Sequence, residues 1–189
     1  MRLESSGPAG TFRSMSGTTQ LRSLLETSEP PGLGPGPRAG HWPKEKVTAA
    51  VKACSVSLKP GREELVRALA LLWHDHLDDA HAIVQDMAGA DGAFVHGIMH
   101  RREPDYGNAK YWFRRVGDHP AFGELAQRVS AFLAAEKQSA LQPRLLPQGH
   151  WDPFAFIDQC EAVGEEEQAG LLRHIQRLET ETLLDYFGA

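Results

Sequence analysis

Two neighbouring stretches of this sequence concentrate the residue types that bind ions or transfer protons. HDHLDDAH spans residues 74–81, and HGIMHRREPDYGNAKYWFRR spans residues 96–115. The second stretch has five Lys or Arg against two acids, a formal charge of +3, in a chain whose net charge is −5. A cationic patch near a helix start favours an anionic ligand such as a carboxylate or a phosphate. Acids elsewhere in the chain leave an alternative open, in which internal ion pairs consume the patch.

We expect a polar pocket where residues 73–81 meet residues 96–115, binding a small polar or anionic ligand with or without catalysis. The candidate ligand-binding residues are His74, Asp78, His81, His100, Arg101, Arg102, Glu103, Asp105, Tyr106 and Lys110. Arg102 is the most informative, because it follows the apolar stripe of its helix and must snorkel or find a buried partner. No motif supports nucleophilic catalysis, and the sequence assigns no reaction.

A transition-metal site is a further interpretation of the same stretches. Its candidate ligands are His74, Asp78, His81, His96, His100 and Glu103. The first three share a face if residues 74–81 form one helix, and the last three share a face of the next helix. Imidazole and carboxylate on adjacent turns suit Zn or Fe. Alternatively, Asp75 caps a helix, which separates His74 from the others, and the histidines cover solvated faces.

The elements that must position these residues are helices, because apolar residues recur at spacings of three and four between Pro and Gly. We expect one all-α domain over residues 44–189, a compact array of about six or seven helices with repeat-like antiparallel hairpins. Asp105 is expected to cap a helix that Gly117 closes, and Asp152 with Pro153 to begin another.

Residues 1–43 are expected to be a disordered segment. Residues 1–40 contain twelve Gly or Pro, including PPGLGPGP at 30–37, and few apolar residues. Such a composition does not offset the entropy cost of ordering the chain, apart from a short helix at LRSLLE.

Composition excludes several classes of function. The length of 189 residues suits one domain, and the net charge of −5 argues against a nucleic-acid binder. No apolar run approaches the roughly 18 to 20 residues that a membrane helix needs, so we expect no membrane partner. Cys54 and Cys160 fit neither a metal motif nor a disulfide framework, and they are interpreted as reduced thiols of a cytoplasmic protein.

Two resemblances accompany this interpretation. HGIMHRREPDYGNAKYWFRRVG, with LLWHDHLDDAH before it and WDPFAFIDQC and IQRLETETLLDYF after it, resembles a widespread family of small helical proteins described only as hypothetical. That likeness covers residues 60–187 and implies no activity.

The second resemblance is to the consensus of Sel1-like and tetratricopeptide repeats. The positions that match this consensus are Gly97, Asp105, Ala109, Trp112 and Phe113. A solenoid needs about three stacked repeats, whereas this chain has one unit and a degenerate neighbour at residues 62–88. The resemblance implies a compact helical array, with a protein-interaction module as the alternative function.

Overall fold

The computed structural model describes residues 17–55, 58–163 and 166–189 of the chain, and every regular element within these ranges is helical. The α-helices are α1 (Gly17–Arg22), α2 (Lys44–Cys54), α3 (Arg62–Trp73), α4 (Leu77–Val84), α5 (Ala90–Arg102), α6 (Tyr106–Val116), α7 (Ala121–Ala135), α8 (Gln142–Leu145), α9 (Pro153–Ala162) and α10 (Glu166–Gly188). Short 3-10 turns span Ser23–Leu25 and Pro147–Gly149. The predicted all-α class is confirmed. The described part has eight helices of seven residues or more, slightly above the predicted number.

The predicted helix ends around α6 and α9 are confirmed. The Asp105 carboxylate accepts a hydrogen bond from the Asn108 backbone N–H at the start of α6, and Gly117 ends the helix with a φ of 64°. At α9, the Asp152 carboxylate accepts from two backbone N–H groups, and Pro153 is the first helical residue. Local sequence was sufficient here because the cap lies within three residues of the groups it satisfies.

The break between α3 and α4 differs from the prediction. His74 follows the end of α3, and Asp75 has a φ of 65°, so residues 74–81 are not one helix. Asp75 is not the N-cap of α4. His76 holds that position, and its side chain makes no capping hydrogen bond. Tertiary partners determine the conformation here, since Arg38 and Arg102 both bind the Asp75 carboxylate.

The core consists of two apolar clusters. The first lies among α2 to α6 and the ends of α1 and α10, with Phe94 and Phe113 at its centre. The second lies among α7, α8, α9 and α10, around Phe156 and Ile175. Phe113 is thus a core residue as its spacing predicted, while Trp112 is half-buried and packs against the first cluster.

Helices α5 and α6 approach each other closely at Gly97. A Cβ added there would lie 2.7 Å from Cε2 of Phe113, so a larger residue would push the helices apart. This contact brings the face of α5 that carries His96 and His100 against α6, where Trp112 and Asn108 meet it.

The expectation of disorder is wrong for residues 27–43, and residues 1–16 lie outside the described part of the chain. The short helix expected at LRSLLE is present as the end of α1 and the 3-10 turn Ser23–Leu25. Leu21 and Leu24 are buried in the first apolar cluster. The Gly/Pro-rich segment is held by side chains distant in sequence: Gln176 donates to the carbonyls of Pro31 (3.2 Å) and Gly32 (3.1 Å). The composition of residues 30–37 does not indicate that a distant side chain donates hydrogen bonds to them. These bonds satisfy backbone carbonyls that belong to no helix.

Candidate metal centre

Three histidines from two helices meet on the inner side of the α4–α5–α6 region. His81 comes from the last turn of α4, and His96 and His100 lie four residues apart on α5. Their ring centroids are 4.9 Å apart for His81–His96, 5.4 Å for His81–His100 and 4.7 Å for His96–His100. One nitrogen from each ring lies within 4.8 Å of the other two. We call these residues the tri-histidine cluster.

His96 is the innermost member of the tri-histidine cluster. It is 2% exposed, and neither of its ring nitrogens has a hydrogen-bond partner among the described residues. A buried imidazole without partners costs about 1–3 kcal/mol for each polar group, so this arrangement needs a reason. The Trp112 indole stacks on the ring with centroids 3.9 Å apart and closes that side against water.

The electrostatics keep His96 and His100 neutral at neutral pH. Burial, reinforced by His100 and His81, lowers the pKa of His96 to about 4. Burial also lowers the pKa of His100, although Glu103 opposes the shift. Neutral imidazole presents a free lone pair, which is the form that binds a metal ion. The expectation of solvated histidine faces is therefore wrong for these two residues.

Two polar side chains contact His100. The Glu103 carboxylate lies 3.2 Å from Nδ1, which favours the tautomer with the proton on Nδ1 and the lone pair on Nε2. The side-chain Nδ2 of Asn108 lies 3.4 Å from Nδ1 and 3.1 Å from Nε2, so it contacts the face of the ring. A carboxylate on the far nitrogen is a usual partner of a metal-binding histidine, because it fixes the tautomer and increases the basicity of the other nitrogen.

The cluster is chemically suited to a divalent transition metal. Three imidazoles, with Zn–N bonds of about 2.0–2.1 Å, leave one tetrahedral position open. Nitrogens that share such an ion lie about 3.4 Å apart, so a contraction of at most about 1.4 Å from the observed upper separation of 4.8 Å is needed. Rotation of exposed or half-buried side chains such as His81 can supply this movement.

Two members of the predicted metal set lie away from the tri-histidine cluster. His74 is buried, its Nδ1 accepts from the Trp42 backbone N–H at 3.1 Å, and its Nε2 donates to the Leu24 carbonyl at 2.9 Å. Asp78 is exposed in the first turn of α4. The structure therefore brings together His81, His96 and His100, with Glu103 beside them.

The cationic candidates for anion binding are engaged internally. Arg101 is buried and donates twice to Glu179, at 3.1 and 2.5 Å. Arg102 is 1% exposed and binds Asp75 at 2.8 Å as well as two backbone carbonyls. Lys110 pairs with the Asp158 carboxylate at 2.5 Å. The requirement that Arg102 find a buried partner is met, and internal ion pairs account for these three cations.

The last two candidate positions serve different local purposes. The Asp105 carboxylate caps α6, and the Tyr106 hydroxyl lies 3.5 Å from the Cys160 carbonyl. The ten candidates thus lie in several places rather than around one cavity. Arg102 lines a cavity of about 10 Å³, which is barely the space of one water molecule.

Larger cavities lie elsewhere in the described part of the molecule. One of about 710 Å³ runs along α7, and one of about 540 Å³ adjoins α9 and the end of α6; both are lined by Phe122, His150 and Trp151. Sequence patterns do not indicate these grooves, because they form between segments with ordinary helical patterns.

Two residues of α6, Asn108 and Trp112, contact the tri-histidine cluster but were not expected there. Trp112 was noted only as a match to the repeat consensus. Asn108 and Trp112 are four residues apart on α6, as His96 and His100 are on α5. This matching spacing is the one sequence signal that could have indicated the contact between these pairs.

None of the helices within the described residues is long and apolar enough to cross a bilayer. No protein-family model, no curated protein and no solved structure matches this chain. Its function must consequently be argued from the chemistry of the site.

Proposed function

We propose that this protein binds one divalent transition-metal ion, of the zinc type, through His81, His96 and His100. The observation that carries the proposal is His96, a buried imidazole with two unpartnered nitrogens, next to two further imidazoles. Binding an ion supplies a partner for one of the two nitrogens and offsets part of the cost of burying the ring. Imidazole ligands suit Zn, Fe, Cu and Ni, whereas Ca and Mg prefer oxygen.

The test is metal stoichiometry and affinity. Protein purified without chelator and dialysed against Zn²⁺ should retain one ion per chain by elemental analysis, with a raised melting temperature. His81→Ala and His96→Phe each remove one ligand and should weaken Zn²⁺ binding by more than about 100-fold in calorimetric titrations. The exposed His150 is the control position, and His150→Ala should bind as the parent does.

Wild-type protein that takes up no Zn²⁺, Co²⁺, Ni²⁺ or Fe²⁺ in these titrations would refute the proposal. Equal affinity of His150→Ala and His96→Phe would do the same, since binding would then come from scattered surface histidines.

The binding of a small polar or anionic ligand by the wider set of candidate residues stays a prediction. The support that remains for it is local: Glu103 and Asn108, which contact His100, are polar and half-buried. We include such a ligand in the proposal only as a partner of the bound metal.

The repeat-like interaction module is a second candidate. It is supported by the close α5–α6 packing at Gly97 and by Tyr111, an aromatic side chain that is 48% exposed on α6. A protein-binding face of this kind predicts that Tyr111→Ala abolishes recovery of a partner while Zn²⁺ affinity is unchanged.

A further inference from the structure

We infer that the metal ion held by the tri-histidine cluster keeps an exchangeable coordination position that takes a small oxygen anion, a carboxylate or hydroxide, which Asn108 hydrogen-bonds. This inference rests on the proposed function and specifies the ligand class of the same site. It follows from the number of donors, the orientation of His100, the charge and the exposure of the surroundings.

The first step is the number of protein ligands. The group of mutually close donor atoms consists of three imidazole nitrogens, and Glu103 lies outside it although it touches His100. Three protein ligands and one free position distinguish reactive zinc sites from structural ones, in which four protein ligands close the coordination.

The second step is the orientation of His100 and Asn108. Because Nδ1 of His100 faces Glu103, Nε2 is the nitrogen left for a metal ion. The Asn108 Nδ2 lies 3.1 Å from Nε2 and 3.4 Å from Nδ1, so it contacts the ring face beside the position of an ion bound at Nε2. Asp105 fixes the Asn108 backbone, so the amide stays next to the coordination sphere. Its N–H groups then suit an oxygen anion on the metal.

The third step is charge. Three neutral imidazoles leave the two positive charges of the ion uncompensated at the donor atoms. The carboxylates of Glu103 and Asp105 both oppose the lowering of the pKa of His100, so they offset part of this charge from outside the group of donors. The Arg115 guanidinium lies on the Trp112 side, 5.3 Å from that ring centroid. A partly buried ion whose protein ligands are all neutral favours an anionic fourth ligand over a neutral one.

The fourth step is access. Trp112 closes the cluster at His96, but His81 and Asn108 are half-buried and the Glu103 side chain is 32% exposed. Solvent therefore reaches the cluster on the side where Asn108 lies. A small anion can enter there, whereas a bulky ligand would meet the packed helices α4 and α5.

The experiment uses the full chain loaded with Co²⁺, whose visible d–d absorption reports its coordination. Titration with sodium acetate should change the spectrum saturably, whereas sodium perchlorate at the same ionic strength should not. Asn108→Ala should weaken acetate binding by about tenfold, the loss of one hydrogen bond to an anion, when it is compared with the parent at full Co²⁺ loading. Gln85→Ala, an exposed amide just after α4, is the matched control and should behave as the parent does.

A spectrum that acetate leaves unchanged, with one Co²⁺ bound, would overturn the inference and leave the proposed function standing, because the site would then be closed. Equal acetate affinity in Asn108→Ala and the parent would overturn the role of Asn108. Failure to bind Co²⁺ at all would overturn both the inference and the proposed function.

Discussion

At the scale of single residues, the unusual property of this protein is a buried histidine whose ring nitrogens the rest of the fold does not use. His74 and His119 are equally buried, but both of their nitrogens have partners. Only His96 among these three lacks them. A histidine that stabilised the fold would resemble the first two, so the exception indicates a group retained for binding.

Removing the nitrogens of His96 should therefore stabilise the metal-free protein. In His96→Phe the ring still stacks on Trp112, while two unsatisfied polar atoms disappear, so we expect a gain of about 1 kcal/mol. Urea unfolding in the presence of chelator measures it. The matched variant is His119→Phe, which deletes partnered nitrogens and should lose stability by about 1–3 kcal/mol. A loss of similar size in both variants would contradict this account.

Much of the site was predictable at this scale, but its burial was not. The sequence placed His96 and His100 on one face of a helix and named His81 as a possible companion. It could not show that the last turn of α4 lies over α5, because that contact depends on the irregular backbone at Asp75. The sequence also grouped His74 with His81, and the same break in the helix separates them.

At the scale of elements, the segment between α1 and α2 is attached to the helical domain by buried polar groups as well as by Leu24 and Leu25. His74 donates to the Leu24 carbonyl and accepts from the Trp42 N–H, and the two rings stack with centroids 4.6 Å apart. Arg38 and Arg102 share the buried carboxylate of Asp75. Sequence patterns that rely on apolar periodicity do not detect such an attachment, which explains the mistaken expectation of disorder.

This attachment should depend on pH. Burial lowers the pKa of His74 from 6.5 to about 4, so the unfolded chain binds more protons than the folded one between those values. The stability that His74 contributes is fully present above pH 6.5 and is lost as the pH falls toward 4. Between pH 7 and pH 5 we expect a loss of about 1–2 kcal/mol from this group.

The measurement is chelator-treated protein unfolded in urea at pH 7 and pH 5, for the parent and for His74→Gln. The variant should be less stable at pH 7 but should lose less between the two pH values. If both proteins showed the same pH dependence, His74 would not be the titrating group.

At the scale of the whole molecule, the first apolar cluster joins the two ends of the described chain. Leu21 of α1 lies so close to α10 that a Cβ on Gly188 would be 2.5 Å from its Cδ1. Gln176 of α10 also holds the carbonyls of Pro31 and Gly32. The helical domain predicted for residues 44–189 is therefore incomplete without the residues that precede it.

A chain that begins at residue 44 should accordingly be much less stable than the full chain. It loses three buried leucines, each worth about 2 kcal/mol, leaves His74 without hydrogen-bond partners and removes one of the three partners of Arg102, so its melting temperature should fall by at least about 10 °C. Circular dichroism during heating measures this. The double variant Leu21→Ala, Leu24→Ala in the full chain should reproduce part of the loss, and an unchanged melting temperature in both would contradict the packing described.

The stack of Trp112 on His96 has an optical consequence. The indole centroid lies 3.9 Å from an imidazole of the proposed metal site, close enough for a paramagnetic ion there to quench its fluorescence. Cu²⁺ or Co²⁺ would darken Trp112, while Zn²⁺, with its filled d shell, would leave it emitting. An ion bound as proposed would therefore be reported by Trp112 emission, in its identity as well as its presence.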